Sequence, residues 1–458
     1  MRDTRHRYHN DWRPHGAGGP GCSELPPVST HPAAANPRRT VGPFQLLALG
    51  VNGIVGVGIF FAPAEIAAQA PGMSAVWAFA LTGVALVPVA LAFAVLGRRF
   101  DADGGPVVFA RAAFGERASF LVGWVAYVSA FLSTSAVMAG LARALAPSVG
   151  LAGPVGERLL ASALVTSLAA LVASGIRVSA RTWTALTVAK LVPLAALLGA
   201  FLFLPAVGEV PPPLPATGGS WLKAGLAVMF AYQGFEIVPV IAGQVRSSER
   251  TVPLATVGSL LVAVVLYVGL TWACVAALPG LAQSTAPLVQ AAGVWGGAGL
   301  ERFVSAGTSI SALGICLGMM VTTPRYLSAL ASGERSLFGL ERMSESGVPM
   351  RALGVTWVLV VGFVNLGDLS ELFALSAIAV LMQFGVTAAA LAVLSLRRER
   401  NLRPAHALLA VPTLVLGLTL VAFGASAREA AVTSLAVLVG LALMQLSRPR
   451  VPAPGPQP

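Results

Sequence analysis

The chain has 458 residues, of which 56% are Ala, Val, Ile, Leu, Met, Phe, Trp, Tyr or Cys and only 11% are charged, against roughly 25% charged in an ordinary soluble domain. A mean hydropathy of +0.78 over that length excludes a soluble fold, and at about 20 apolar residues per spanning helix there is room for ten to twelve such helices. The net charge is +11, but the basic residues stand singly or in pairs between apolar runs, which excludes a nucleic-acid-binding surface.

In chain order, residues 1–40 hold four of the five histidines (His6, His9, His15 and His31), six Arg and many Pro and Gly. No apolar run there reaches the roughly 7 to 15 residues of a signal peptide, and the histidine spacing fits no metal site. The stretch reads as a disordered cytoplasmic tail. A single membrane domain is then expected over 41–447, with spans near 42–68, 73–97, 118–146, 158–175, 180–204 and 221–245. Six more follow near 253–278, 301–330, 352–366, 369–396, 406–424 and 429–447. The apolar run between Arg351 and Arg397 would make one helix of about 67 Å at about 1.5 Å per residue, twice the hydrocarbon thickness. A turn at Asn365-Leu366-Gly367-Asp368 must therefore fold it back. Residues 448–458 form a second cytoplasmic tail. The three cysteines, Cys22, Cys274 and Cys316, are too few and too far apart for a disulfide framework or a zinc site.

Charge bias tests the span count independently, because cytoplasmic loops carry the Lys and Arg. With twelve spans and both termini in the cytoplasm, the cytoplasmic loops and tails collect 24 of the 30 basic residues, and the other side receives Arg143, Arg158, Lys223, Arg302 and Arg428. Without the N-terminal tail the ratio is still 18 to 5. A miscounted span would invert the bias from that point on. Only Lys190 is left over, inside the fifth span.

Two spans read as broken. The first runs Gly50-Val51-Asn52-Gly53-Ile54-Val55-Gly56-Val57-Gly58-Ile59-Phe60, four Gly in nine residues, with Pro63 beyond. The sixth runs Phe230-Ala231-Tyr232-Gln233-Gly234-Phe235-Glu236-Ile237-Val238-Pro239. Either alone is equally a helix-packing surface, since Gly lets membrane helices approach closely. Together they lie five segments apart and so cross the membrane in opposite directions. This is the pattern of two inverted five-helix repeats with a midplane site between discontinuous helices. The first repeat would cover about 42–204, the second about 221–396, with peripheral helices at about 406–447.

These residues also carry a resemblance. Gly53 to Phe60 with Pro63 resembles the first-helix signature of the amino acid–polyamine–organocation (APC) permeases. Asp103-Gly104-Gly105 through Phe114-Gly115 to Gly123-Trp124 is similar to the loop after their second helix, and Phe230 to Pro253 to their sixth helix and the basic loop after it. Pro324-Arg325-Tyr326 with Leu330-Ala331 is similar to the end of their eighth. The chain departs from the pattern at Val57, where a Ser is common, at Val107-Val108 and at Ser247-Ser248. The resemblance implies an all-α polytopic membrane protein of about twelve transmembrane helices. Its fold would be of the LeuT type, a five-plus-five inverted repeat with two extra C-terminal helices, and its function secondary transport of amino acids or related amines.

An unwound first helix near Gly56 would present the amides of Val57, Gly58 and Ile59 to a substrate carboxylate at a half-helix N-terminus. The carbonyls freed at Gly53, Ile54 and Val55, and those near Phe230 and Ala231, would suit the substrate ammonium. By similarity to the family the contacts are Ile54, Val57, Gly58, Phe230, Ala231 and Gln233, with Phe230 or Tyr232 as an aromatic wall and Gly234 at the second break. Lys190 lies too deep in the fifth span to snorkel, and an ionisable residue in hydrocarbon faces a cavity or a partner. In sodium-independent members of the family a lysine on this helix takes the place of a sodium ion, so Lys190 is expected to couple transport to protons. Glu236 is a proton site, an anchor for a cationic substrate, or an acceptor for freed amides. Glu65 reads as a surface-facing acid.

No Gly-Lys-Ser/Thr phosphate loop occurs, which argues against an ATP-driven pump, and the spans hold only His406, near a helix end, which argues against a membrane-embedded enzyme. No cofactor and no metal are expected. The sequence therefore reads as an alternating-access carrier in the plasma membrane of a bacterium, moving a neutral amino acid by proton coupling or exchange. A cationic amino acid or polyamine carrier, or a substrate-sensing receptor on the same fold, is the alternative.

Overall fold

The computed structural model describes residues 41–56, 58–175, 180–207, 219–331, 335–336 and 338–449. Val57, the whole N-terminal tail of 1–40 and residues 450–458 of the C-terminal tail lie outside them.

The first span is two helices, α1 (Pro43–Ile54) and α2 (Gly58–Gln69), bent by 41° at the break between them. The second combines α3 (Met73–Ala85) and α4 (Val87–Arg99). A short α5 (Pro106–Phe114) precedes the third span, α6 (Glu116–Leu145), and the fourth and fifth are α7 (Pro154–Ala173) and α8 (Ala180–Phe203). The sixth starts as α9 (Trp221–Tyr232), stops at Gln233-Gly234, and resumes as a 3-10 helix over Phe235–Gln244. There follow α10 (Ser248–Ala277), α11 (Pro287–Ala331), α12 (Met350–Leu366), α13 (Leu369–Leu396), α14 (Ala410–Gly424) and α15 (Ala427–Leu446). Nine helices are long and apolar enough to cross a bilayer, the bent first pair makes ten, and the shorter apolar helices Lys190–Phe203 and Met350–Leu366 supply the fifth and ninth. The total among the described residues is the twelve expected from sequence.

The local chemistry explains the ends. The fold-back after α12 is fixed by Asp368, whose side chain accepts the Glu371 N–H at 2.7 Å and caps α13. Ser426 and Glu429 bond reciprocally at the start of α15, each side chain satisfying an amide that the first helical turn leaves free. One element differs from expectation. The eighth is helical already from Pro287 rather than from about 301, and turns at Gly297 (φ +66°) into the span proper. The cluster Gly293, Gly296, Gly297 and Gly299 reads locally as loop, yet only Gly297 departs from helical backbone. The only strand pairing described is residual: β1 (Arg335–Ser336) runs antiparallel to β2 (Arg448–Pro449).

The spans pack in two groups. Spans one, two, six and seven sit on one another, with α1, α3, α4 and the 3-10 segment against α10 and both α2 and α3 against α9. Spans three, four, eight and nine form the second group through α6, α7, α11 and α12, with α8 laid on α11. The tenth span, α13, is shared, touching both α6 and α9. Large apolar side chains such as Leu81, Phe203, Val265, Leu418 and Phe423 point outward from these groups, a surface suited to lipid and costly in water.

At the end of the molecule where α1 begins, the first group is stitched together by backbone. Val41 N–H donates to Gln244 O at 3.1 Å, and Arg246 N–H returns a bond to Val41 O at 2.9 Å. Asp103 accepts the Gly243 N–H at 3.0 Å and the Gln244 side-chain amide at 2.9 Å. Gly104 N–H donates to Val240 O at 2.8 Å.

Candidate functional site

The two helix breaks meet. A Cβ on Gly58 would lie 3.2 Å from the Ala231 Cα. Gly234 has φ +128°, and a Cβ there would overlap the Gly53 carbonyl. These positions need glycine because backbone crosses backbone. A cavity of about 1430 Å³ opens from the crossing toward the end where α1 begins. Its inner wall includes Asn52, Gly53, Ile54, Gly56, Gly58, Phe230, Ala231, Gln233, Gly234 and Glu236. Its mouth includes Phe44, Gly104, Arg111 and Glu116. Of the residues expected at the site from sequence, Val55, Ile59 and Tyr232 are buried and do not line this cavity, while Val57 lies outside the described residues.

The unwound segment of the first span has already committed several of its carbonyls. Lys190, 2% exposed, donates its ammonium to Asn52 O at 2.8 Å and to Val55 O. Tyr267 donates its hydroxyl to Ile54 O at 2.7 Å, and the Gly56 N–H reaches the same oxygen at 2.6 Å. The expectation that the Ile54 and Val55 carbonyls await a substrate ammonium therefore needs amending. The chain's own cation and hydroxyl occupy them, as freed carbonyls inside a membrane require. Tyr232 explains part of this arrangement. Its ring stacks on Tyr267 (centroids 5.3 Å) and its hydroxyl donates to Phe79 O at 3.2 Å, so it braces Tyr267 rather than walling the cavity.

At the second break, Glu236 turns back on its own chain and accepts the Gly234 N–H at 2.8 Å, satisfying an amide that the interrupted helix exposes. Among the described residues no Lys or Arg side chain is ion-paired with it, and it lines the cavity beside Tyr326. Gln233 extends its carboxamide between α6 and α13. Its Oε1 accepts from Ser133 and from Ser376, each at 3.1 Å, and those two hydroxyls are 2.6 Å apart.

On the side away from the mouth, Phe230 stacks face to face on Phe373 of α13, centroids 4.1 Å apart. Beyond it, Glu65 on α2 binds Arg143 of α6 at 2.7 Å and accepts the Ser370 hydroxyl of α13 at 2.6 Å. Its side chain is only 13% exposed, so Glu65 is a half-buried ion-pair partner rather than the freely solvated surface acid its sequence position suggests. Sequence reasoning missed Tyr267, Ser133, Ser376 and Phe373, and gave Glu65 only a surface role. The pair of opposite charges at the same predicted membrane face, Glu65 and Arg143, was the one signal available for any of them.

The family model described as amino acid permease matches residues 41–445. Among curated proteins, the chain is 28% identical over 398 residues to an uncharacterized transporter of Mycobacterium tuberculosis, covering 85% of this chain and 88% of that one. It is 28% identical to the branched-chain amino acid permease BcaP of Lactococcus lactis, covering 78% of this chain and 82% of the relative. It is 29% identical to the chloroplastic cationic amino acid transporter 9 of Arabidopsis thaliana, covering 66% and 58%.

Proposed function

We propose, from the premise that this chain belongs to the amino acid permease family, that it carries a neutral amino acid across the plasma membrane by alternating access, coupled to protons or to exchange. The observation that carries the reading is the crossing of the two helix breaks in the wall of one cavity. An amino acid placed there has the amide end of α2 for its carboxylate, and the carbonyls around Phe230 and Ala231 for its ammonium. The relatives named for branched-chain and for cationic amino acids support an amino acid as cargo and leave its side chain open. The cavity wall near the crossing is mostly backbone, apolar and uncharged polar groups, which favours a neutral side chain.

Lys190 is assigned the proton-coupling role. Its ammonium holds the unwound backbone through Asn52 O and Val55 O, and loss of its proton would remove the charge and one donor from that junction. Because the junction is the break itself, protonation and the geometry of the substrate site are linked. Lys190→Ala is expected to abolish the pH dependence of uptake in proteoliposomes while the protein still unfolds cooperatively. Persistence of the wild-type pH profile would overturn the assignment. Counterflow of labelled amino acid distinguishes a carrier from a channel or receptor.

One observation favours a second reading. Glu236 presents a carboxylate to the cavity with no described Lys or Arg paired to it, an arrangement that suits a cationic side chain. A thermal-shift screen separates the two, since a ligand bound only to the folded state raises its stability. Stabilisation by lysine, arginine or polyamines and by no neutral amino acid would replace the first reading with the second.

A further inference from the structure

We propose that the end of α4 and the loop from α13 to α14 form a binding site for the headgroup of an anionic phospholipid, whose acyl chains run along the exposed face of α14.

The argument starts from charge. Arg98 and Arg99 close α4, and Arg397, Arg398, Arg400 and Arg403 follow α13, with Glu399 the one acid among the latter. Glu399 lies 3.7 Å from the Arg397 guanidinium. The acids that follow α4, Asp101 and Asp103, are bonded to Ser248 and to Gly243 and Gln244. Among the described residues none of Arg99, Arg400 and Arg403 is ion-paired with an acid. Nor do the terminal segments offer a complement in composition, since residues 1–40 carry six Arg against three acids and residues 450–458 carry no acid. Charge complementarity therefore points to an anion from outside the chain.

Exposed arginines are ordinarily solvated one by one, whereas these are assembled. The Arg400 guanidinium lies over the ring of Phe100, 4.1 Å from its centroid, and Phe100 itself is buried, so the cation rests on a fixed base. Arg400 donates to Arg99 O at 3.4 Å, and Arg99 donates back to Asn401 O at 3.2 Å. The Arg403 N–H donates to His406 Nδ1 at 3.1 Å, and His406 feels the charge of both Arg403 and Arg99, which puts these residues on one patch. The loop reaches this arrangement through left-handed backbone at Arg398, Arg400 and Asn401, with φ of +54°, +52° and +58°, a region that few non-glycine residues occupy. Each side-chain bond uses one of a guanidinium's five N–H donors. A fork whose plane is held in this way can grip two oxygens of one phosphate.

Position selects a lipid over a soluble phosphate. Val411, Val415 and Leu418 of α14 are exposed and recur at the spacing of one helix face, directly after the loop, where Leu408 is exposed as well. A phosphodiester held by the arginines has an apolar surface beside it for its chains, which a soluble phosphate ester would leave unused. Arginines at the cytoplasmic ends of spanning helices lie at the depth of anionic headgroups, and the charge bias of the sequence gives that side to the ends of α4 and α13.

The test is thermal unfolding of the detergent-purified full chain, titrated with phosphatidylglycerol, phosphatidylcholine or glycerol 3-phosphate. Phosphatidylglycerol is expected to raise the unfolding temperature at concentrations where the other two do not, because a ligand bound only to the folded state stabilises it. Its apparent affinity should weaken about fivefold for each arginine removed, in Arg403→Gln alone and further in Arg400→Gln/Arg403→Gln. Arg325→Gln/Arg342→Gln takes the same charge from two exposed positions on α11 and before α12, and should leave the titration unchanged. Equal stabilisation by phosphatidylcholine or by glycerol 3-phosphate overturns the lipid assignment. Equal weakening in the two double variants reduces the patch to a diffuse field and overturns the site. Should the Arg400 variant fail to unfold cooperatively, Arg403→Gln decides, and an unchanged titration there overturns the proposal.

Discussion

A single residue at each break does work that no neighbour can take over. Gly234 combines a positive φ with direct contact to the Gly53 carbonyl, so Gly234→Ala must strain the backbone by about 1–3 kcal/mol and push the two breaks apart. We expect a lowered unfolding temperature, read by thermal denaturation in detergent, and transport below a tenth of wild type. The glycines themselves were legible in the sequence, as were Lys190 and Glu236, because a charge or a break at membrane depth is conspicuous in one dimension. Their partners were not. The hydroxyl of Tyr267 lies 213 positions from the carbonyl it caps, and Ser376 lies 143 positions from Gln233. Nothing in the local pattern of α10 or α13 distinguishes these side chains from packing. What sequence had assigned to a substrate ammonium, the Ile54 and Val55 carbonyls, is filled from within by such long-range donors.

At the scale of helices, the breaks and the fold-back at Asp368 followed from composition and length, whereas the early start of α11 did not. A run of glycines is a poor guide there, because packing against α8 and neighbouring helices keeps most of them helical. The half-helix α2 is fastened on the far side of the cavity by Glu65, which reaches both α6 and α13. Opening of that side requires these bonds to break. Glu65→Ala is therefore expected to populate the oppositely open form. A membrane-impermeant thiol reagent applied from the side of Glu65 should label Val137→Cys several-fold faster in that background than in otherwise wild-type protein. Equal rates would show that the contact does not restrain the opening.

For the whole molecule, the distribution of Lys and Arg and the direction of the cavity bear on one another. The mouth lies at the end where α1 begins and where Arg111 and Arg117 sit, the face expected in the cytoplasm from the charge bias of the sequence. On that orientation the conformation is inward-facing. Ala126→Cys, in the cavity wall on α6, should react with the same reagent in inside-out vesicles and be protected in right-side-out ones. The reverse pattern would invert the proposed orientation.

The backbone stitching of Val41 to Gln244 and Arg246, reinforced by Asp103, has a mechanical corollary. The beginning of the first span and the end of the sixth are bolted to each other, so neither inner half can swing without the other. They form one door with two leaves, joined to the other halves of their spans through the interruptions after Ile54 and at Gln233-Gly234. A molecule bound between those interruptions sits on the hinge line, where a small change in fit is converted into the largest displacement at the rim.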